Sequence, residues 1–114
     1  MDVSFILSSD EIFTLMSLMP GKTDAGRQFA EGALVGAVFC DLSGLVEKRL
    51  ARMVGDELEI VPVLRMLVDS LARADSAELR GEAWVMCSPW VTVQCSPYPY
   101  RDGDWKITPV QKST

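Results

Sequence analysis

The chain has 114 residues, of which 48% are hydrophobic and 24% are charged, and its net charge is −5 at pH 7. This length favours a single domain over residues 1–114, and the composition is that of a globular protein rather than a disordered one. Histidine is absent, which excludes His-based catalysis and His-ligated metal sites. The acidic balance argues against nucleic acid as a partner, because it repels phosphate.

A short strand and a capped helix are predicted at the start of the chain. Apolar residues alternate over residues 3–7, which is the period of a strand. Ser8 and Glu11 have the spacing of a capping box, in which each side chain accepts a hydrogen bond from the other residue's backbone N–H. Apolar residues then recur at helical spacing as far as Pro20. These signals predict a first helix over residues 9–18.

An apolar stripe at helical spacing runs through residues 25–50. Three glycines, Gly32, Gly36 and Gly44, weaken a helix there by up to ~1 kcal/mol each relative to alanine. A second cap at Ser43 would divide the segment into two helices. The sequence is therefore compatible with one long helix and with two shorter helices.

A β-hairpin and a further helix are predicted next. Two short alternating segments, residues 51–54 and 57–60, flank Gly55-Asp56, and a two-residue turn with glycine is typical of a hairpin. Pro62 suits the first turn of an α-helix, where its missing N–H has no intrahelical partner. Apolar residues at helical spacing continue this helix until residues 74–76 end it.

The last third of the chain predicts an antiparallel sheet, because its apolar period changes from helical to two. Residues 83–88, 91–96 and 105–108 are expected to form the three strands of a meander, with prolines at the strand ends. The predicted fold class is therefore α+β. N-terminal helices with a hairpin occupy residues 1–76, and a three-stranded antiparallel meander follows in residues 82–110.

No group of residues predicts catalysis or cofactor binding. Cys40, Cys87 and Cys95 lie in apolar patterns without a CxxC pair, and no Lys or Arg stands within five residues of any of them. Such thiols are expected to pack as small hydrophobic groups in a reducing compartment, and a Cys87–Cys95 disulfide in a secreted protein is the alternative. The acidic pairs stand at predicted turns and helix starts, where capping explains them. We therefore expect a non-enzymatic protein without cofactor or metal.

The sequence also predicts a cytoplasmic location without membrane association. The N-terminal apolar stretch, residues 5–7, is too short for a signal peptide, and no basic residue precedes it. The longest apolar stretch near mid-chain, residues 33–40, is too short to cross a bilayer.

Large aromatic residues are concentrated in the last third of the chain. Tryptophan and tyrosine are frequent at binding hot spots, and several of these residues lie beside prolines, at predicted turns or sheet edges. They are candidates for contact with a protein partner or for self-association, of which a homodimer is the simplest form. The alternative is that they are ordinary core and turn residues. The candidate protein-binding residues are Trp84, Trp90, Tyr98, Tyr100 and Trp105.

The order of predicted elements in residues 3–73 resembles a known family. The pattern consists of the capped segment 7–15, the helix end at residues 45–50, the acidic-tipped hairpin 54–60 and the Pro-led helix after it. It is similar to the N-terminal part of the chaperones associated with type VII (ESX-like) secretion in Gram-positive bacteria. The resemblance implies a cytoplasmic α+β protein that binds a secreted helical substrate through its sheet.

Winged-helix regulators share the same pattern, since in them a hairpin follows the helix that reads DNA. Three cations in residues 48–52 stand where such a protein would contact DNA. However, residues 1–57 hold five Lys and Arg against nine Asp and Glu, and the hairpin tip is Gly55-Asp56-Glu57. We therefore predict a non-enzymatic protein-binding module, specifically a bacterial secretion-linked chaperone or adaptor. The alternative is a winged-helix-like regulatory domain with little or no DNA affinity.

Overall fold

The computed structural model describes residues 3–110. Within this range the chain forms four helices and seven strands, in agreement with the predicted α+β class. None of the described helices has the length and apolar character needed to span a membrane. The elements in chain order are β1 (Phe5–Ser8), α1 (Ser9–Ser17), α2 (Asp24–Ala33), α3 (Ser43–Glu47), β2 (Ala51–Val54), β3 (Glu57–Ile60), α4 (Pro62–Ala72), β4 (Ser76–Arg80), β5 (Ala83–Cys87), β6 (Thr92–Pro97) and β7 (Asp104–Val110).

Five of the strands form one antiparallel sheet in the order β1-β7-β6-β5-β4. The register pairs Trp84 with Cys95 and Met86 with Val93, so these four side chains share one face of the sheet. All four are buried, and α4 packs against β5 and β6 while α2 packs against β4. The hydrophobic core therefore lies between the helices and one face of the sheet.

The predicted three-stranded meander is present as β5, β6 and β7, but it belongs to a larger sheet. β1, which was predicted as a strand, pairs with β7 at one edge. β4, at the other edge, was not predicted, because its alternation contains only two apolar residues, Ala77 and Leu79. Gly81 has a φ of +63° in the tight turn to β5, a conformation that glycine adopts without steric cost. The residues predicted to end the helix, 74–76, thus connect α4 to the start of β4.

The capping box predicted at the start of α1 is confirmed. Ser8 Oγ accepts a hydrogen bond from Glu11 N at 3.1 Å, and Glu11 Oε1 accepts one from Ser8 N at 2.9 Å. The same Oε1 lies 2.9 Å from Lys48 Nζ, which also donates to Ile6 O at 3.2 Å. Because Lys48 directly follows α3, this ion pair holds the end of α3 against β1 and α1.

The segment predicted as one or two helices forms two, α2 and α3, with residues 34–42 between them. The linking segment is tied to α1 through side chains of that helix. Val38 N donates to Asp10 Oδ1 at 3.0 Å, and Cys40 N donates to Thr14 Oγ1 at 3.0 Å. The link therefore runs along α1 before α3 begins.

The start of α3 differs from the prediction. Ser43 is the first helical residue rather than the cap, and the cap position is taken by Leu42, whose side chain makes no capping hydrogen bond. Instead, Asp41 Oδ1 accepts hydrogen bonds from Ser43 Oγ at 2.6 Å and from Ser43 N at 3.2 Å. The Ser43 hydroxyl, and then its backbone N–H, lower the pKa of the Asp41 carboxyl. Asp41 is therefore a fixed negative charge beside α3.

The start of α2 packs directly on the end of α4. Thr23 caps α2, since its Oγ1 accepts a hydrogen bond from Gly26 N at 3.1 Å, and the same hydroxyl donates to Ala74 O at 2.6 Å. Thr23 N also donates to Ala72 O at 3.0 Å. A Cβ at Gly26 would lie only 2.0 Å from Ala72 O, so this close approach requires glycine.

Candidate functional site

The hairpin formed by β2 and β3 is separate from the five-stranded sheet and packs mainly against α3. It has the predicted bounds, and Gly55 in its turn has a φ of +63°. Met53 pairs with Leu58 across the ladder, and the Met53 side chain is 57% exposed. A two-stranded hairpin alone is marginally stable in water. Exposed apolar side chains on it therefore indicate a surface that another molecule can cover.

A groove of about 470 Å³ lies between α3 and the hairpin, and we call it the α3–hairpin groove. Its apolar residues come from both sides, with Val46 on α3 facing the hairpin residues Met53 and Leu58. Its charged side chains are both acidic and both exposed, one before α3 and one at its last residue. The lining residues are Asp41, Leu42, Ser43, Val46, Glu47, Met53 and Leu58.

Two further grooves flank the hairpin, with volumes of about 590 and 670 Å³. Their linings contain charged side chains of both signs. In the first of them, Arg52 lies 3.4 Å from Glu59 in an ion pair across the two strands. In the second, Arg73 Nε donates to Asp69 Oδ1 at 2.7 Å. Each of these two grooves therefore contains an internal ion pair, in contrast to the α3–hairpin groove, whose two charged residues are both acidic.

Trp84, the first of the predicted protein-binding aromatic residues, lies in the core. Its side chain is 7% exposed, and its ring meets Phe29 edge-on with the ring centroids 5.7 Å apart. It also covers Gly32, where a Cβ would lie 2.6 Å from Trp84 Cζ2. Trp84 therefore joins α2 to the sheet, and little of its side chain is left for contact with a partner.

Trp90 lies in the turn between β5 and β6 and is half-exposed. Its Nε1 donates a hydrogen bond to the buried Ser70 Oγ at 2.7 Å, and the Arg73 guanidinium lies over the ring, 5.7 Å from its centroid. Contacts with the chain's own α4 thus satisfy the polar atom of the indole. The remaining exposed part of the ring is available to a partner.

The other three predicted aromatic residues lie near the opposite end of the sheet. Tyr98 and Tyr100 form a T-shaped pair in the loop after β6, with centroids 5.3 Å apart, and Tyr100 is 84% exposed. Trp105 is half-buried, and its Nε1 donates to Ser9 Oγ at 2.9 Å. Trp90 precedes β6 and Tyr98 follows it, and a strand of six residues spans about 20 Å. The structure therefore brings the two tyrosines together but separates them from Trp90.

The residues of the α3–hairpin groove were not among the predicted binding residues. A signal for them was present in the sequence, because Met53 and Leu58 are large apolar residues on a hairpin with an acidic tip. The alternation predicts which face of the hairpin they share, but not whether that face meets the core. The folded chain shows that this face is divided, because Ala51 is buried and Leu58 packs partly against the core, whereas Met53 is exposed.

The three cysteines are free thiols. Cys95 is on the buried face of the sheet, and this burial raises the pKa of its thiol. On β5 the side chains of Trp84 and Met86 point into the core, so Cys87, which directly follows Met86, lies on the other face of the sheet. This arrangement excludes the alternative of a Cys87–Cys95 disulfide. Cys40 lies 3.5 Å from Thr14 Oγ1, beside α1.

We expect the Cys95 thiol to be unreactive in the native protein, because a buried thiol with a raised pKa provides little of the nucleophilic thiolate. The Cys40→Ser/Cys87→Ser double variant isolates this thiol. Its reaction with Ellman's reagent at pH 7 should begin only when denaturant unfolds the chain. Rapid labelling of the folded double variant would show instead that Cys95 is accessible.

The chemistry available to the described part of the chain is that of apolar grooves with charged borders. Among residues 3–110, no group of three or more His, Cys, Asp or Glu side chains is arranged to hold a metal ion.

Comparison of the chain with protein-family models, with curated proteins and with solved structures finds no match.

Proposed function

We propose that this protein is a non-enzymatic module that binds another protein chain through the α3–hairpin groove. The observation that carries the proposal is the exposure of Met53, an apolar residue that is 57% exposed and lines the groove with Val46 and two half-buried leucines. Complete burial of a methionine side chain contributes roughly 1.5–3 kcal/mol. Burial of Met53 by a partner would therefore stabilise the complex, and the contact would also stabilise the hairpin.

The specific form that we propose is a cytoplasmic, secretion-linked chaperone or adaptor. The support for it is the pattern in residues 3–73, whose capped helix, hairpin and Pro-led helix correspond to α1, β2–β3 and α4. In this form the partner is a secreted protein.

A winged-helix-like regulatory domain is the alternative, because the hairpin follows α3 as a wing follows a recognition helix. The charges support little DNA affinity, since Asp41 precedes α3, Glu47 is its last residue, and Arg52 is paired with Glu59. Fluorescence anisotropy with a labelled DNA duplex at low salt tests the expectation of little DNA affinity. Binding with a Kd of about 1 μM or lower, which weakens steeply as salt is added, would favour the regulatory domain.

In-cell photocrosslinking tests the proposed binding function. Replacement of Met53 by a photoreactive benzophenone amino acid places the probe in the groove. The same replacement of Leu79, which is 55% exposed on β4, is the matched control. We expect a specific protein adduct at Met53 that is absent at Leu79. The captured protein, identified by mass spectrometry, is then purified, and its Kd is measured by calorimetry.

We expect Met53→Ser to raise this Kd by about tenfold or more, because the loss of ~1.5 kcal/mol of apolar contact corresponds to that change. Leu79→Ser should change it by less than about twofold, as is usual for a surface position outside an interface. If the captured protein is a second copy of the chain, the function is self-association, as in the predicted homodimer. Equal effects of the two substitutions, or no adduct at Met53, would contradict the proposal.

A further inference from the structure

We infer that the occupant of the α3–hairpin groove is an amphipathic helix that carries Lys or Arg beside its apolar stripe. This inference rests on the proposed function and specifies the chemistry of the partner. Two properties of the groove carry it, namely the kind of atoms that its lining presents and the sign of the charges at its border.

The lining of the groove favours a helix over an extended strand. Four of its seven side chains are apolar, and they include Met53 and Leu58 from one face of the hairpin. The groove lies over this face, whereas the backbone N–H and C=O groups of β2 and β3 lie in the plane of the ladder. An occupant therefore meets side chains rather than free N–H and C=O groups, and it must satisfy its own backbone hydrogen bonds, as a helix does.

The border of the groove favours cationic side chains on that helix. Asp41 lies two residues before α3 and Glu47 is the last residue of α3, so the two carboxylates border the groove at opposite ends of this short helix. Ser43 holds Oδ1 of Asp41, whereas Oδ2 has no hydrogen-bond partner among residues 3–110. Within the same residues the Glu47 carboxylate forms no ion pair. Two cations one or two turns apart on the occupant would complement both carboxylates.

Two fluorescently labelled model peptides of about 18 residues test the inference, because this length supports a helix. Both carry leucine at helical spacing, and the flanking positions are lysine in one peptide and glutamate in the other. We expect anisotropy at about 50 mM salt, where surface charges are weakly screened, to show at least about tenfold tighter binding of the Leu/Lys peptide. Met53→Ser should weaken that binding by about tenfold.

Since the whole protein is acidic, two double variants with the same change in net charge separate local from general attraction. Asp41→Asn/Glu47→Gln removes the carboxylates of the groove, and Glu82→Gln/Asp102→Asn removes two exposed ones from the loops after β4 and β6. We expect the first to reduce the preference for the Leu/Lys peptide about fivefold, and the second to change it less than about twofold. Equal effects of the two variants, equal affinity for the two peptides, or no binding of the Leu/Lys peptide would overturn the inference. The in-cell adduct at Met53 is measured independently, so each of these results leaves the proposed function to its own test.

Discussion

Gly26→Ala is expected to lower the free energy of unfolding by about 3 kcal/mol or more. An added Cβ would lie 2.0 Å from Ala72 O and 2.7 Å from Ala72 C, which are backbone atoms at the end of α4. Relief of the overlap requires that α2 and α4 separate, and this would also strain the hydrogen bonds that Thr23 makes to the same segment. Overpacking typically costs about 1–3 kcal/mol. Because the atoms that the added Cβ meets belong to the backbone and cannot rotate away, we expect a cost at about the upper end of this range or above it. Urea denaturation followed by circular dichroism measures the change.

Gly21→Ala is the matched control for this substitution. A Cβ at Gly21 meets no atom within 4 Å, and its backbone is not in the left-handed region. The free energy of unfolding of the Gly21→Ala variant should therefore change by less than about 0.5 kcal/mol, or rise slightly because alanine restricts the unfolded chain. Similar losses in the two variants would show that the contact with Ala72 is not close.

Trp84→Ala is expected to lower the free energy of unfolding by about 3–5 kcal/mol, the range for loss of a large buried aromatic side chain. The ring packs edge-on against Phe29 and covers Gly32, so its removal opens a cavity between α2 and β5. The loss should appear in thermal and urea unfolding alike, with no change in the dependence of stability on protein concentration. An effect that grows on dilution would place Trp84 in an interface between chains.

Tyr100→Ala is the control from the same set of aromatic residues. Its side chain is 84% exposed, so its removal should change the unfolding free energy by less than about 0.5 kcal/mol. A loss for Tyr100→Ala comparable to that for Trp84→Ala would contradict the difference in burial between the two residues.

Features that depend on neighbouring residues could be predicted from the sequence. The Ser8–Glu11 capping box, the turn at Gly55 and the proline start of α4 each require only a few consecutive residues, and all are present in the structure. Their physical cause is local hydrogen bonding and backbone sterics, which distant parts of the chain change little.

Features that depend on distant partners could not be predicted. β4 is a strand because it pairs with β5 and contacts α2, whereas its own residues include no β-branched or aromatic side chain and have low strand propensity. The prediction of Ser43 as the cap of α3 was wrong for a related reason. Asp41 and Ser43 are both suitable polar residues, and the path of the link along α1 decides how they are used.

The candidate site shows the same limit. Aromatic residue type suggested a binding role for both Trp84 and Tyr100, but only the tertiary structure distinguishes a residue under α2 from one in an open loop. The α3–hairpin groove depends on the approach of Val46 to Met53, which is a contact between two elements. No periodicity within either element encodes that contact.

The pairing of β1 with β7 has a consequence for the order in which the chain is made. Ser9 and Trp105, which share a hydrogen bond at this edge, are 96 residues apart in the sequence. At a translation rate of about 5–20 residues per second, the ribosome exposes Phe5 and Leu7 for roughly 5–20 s before their partner strand exists. A nascent chain that stalls before β7 therefore presents an unpaired apolar strand to the cell's quality-control machinery, and synthesis of β7 ends that exposure.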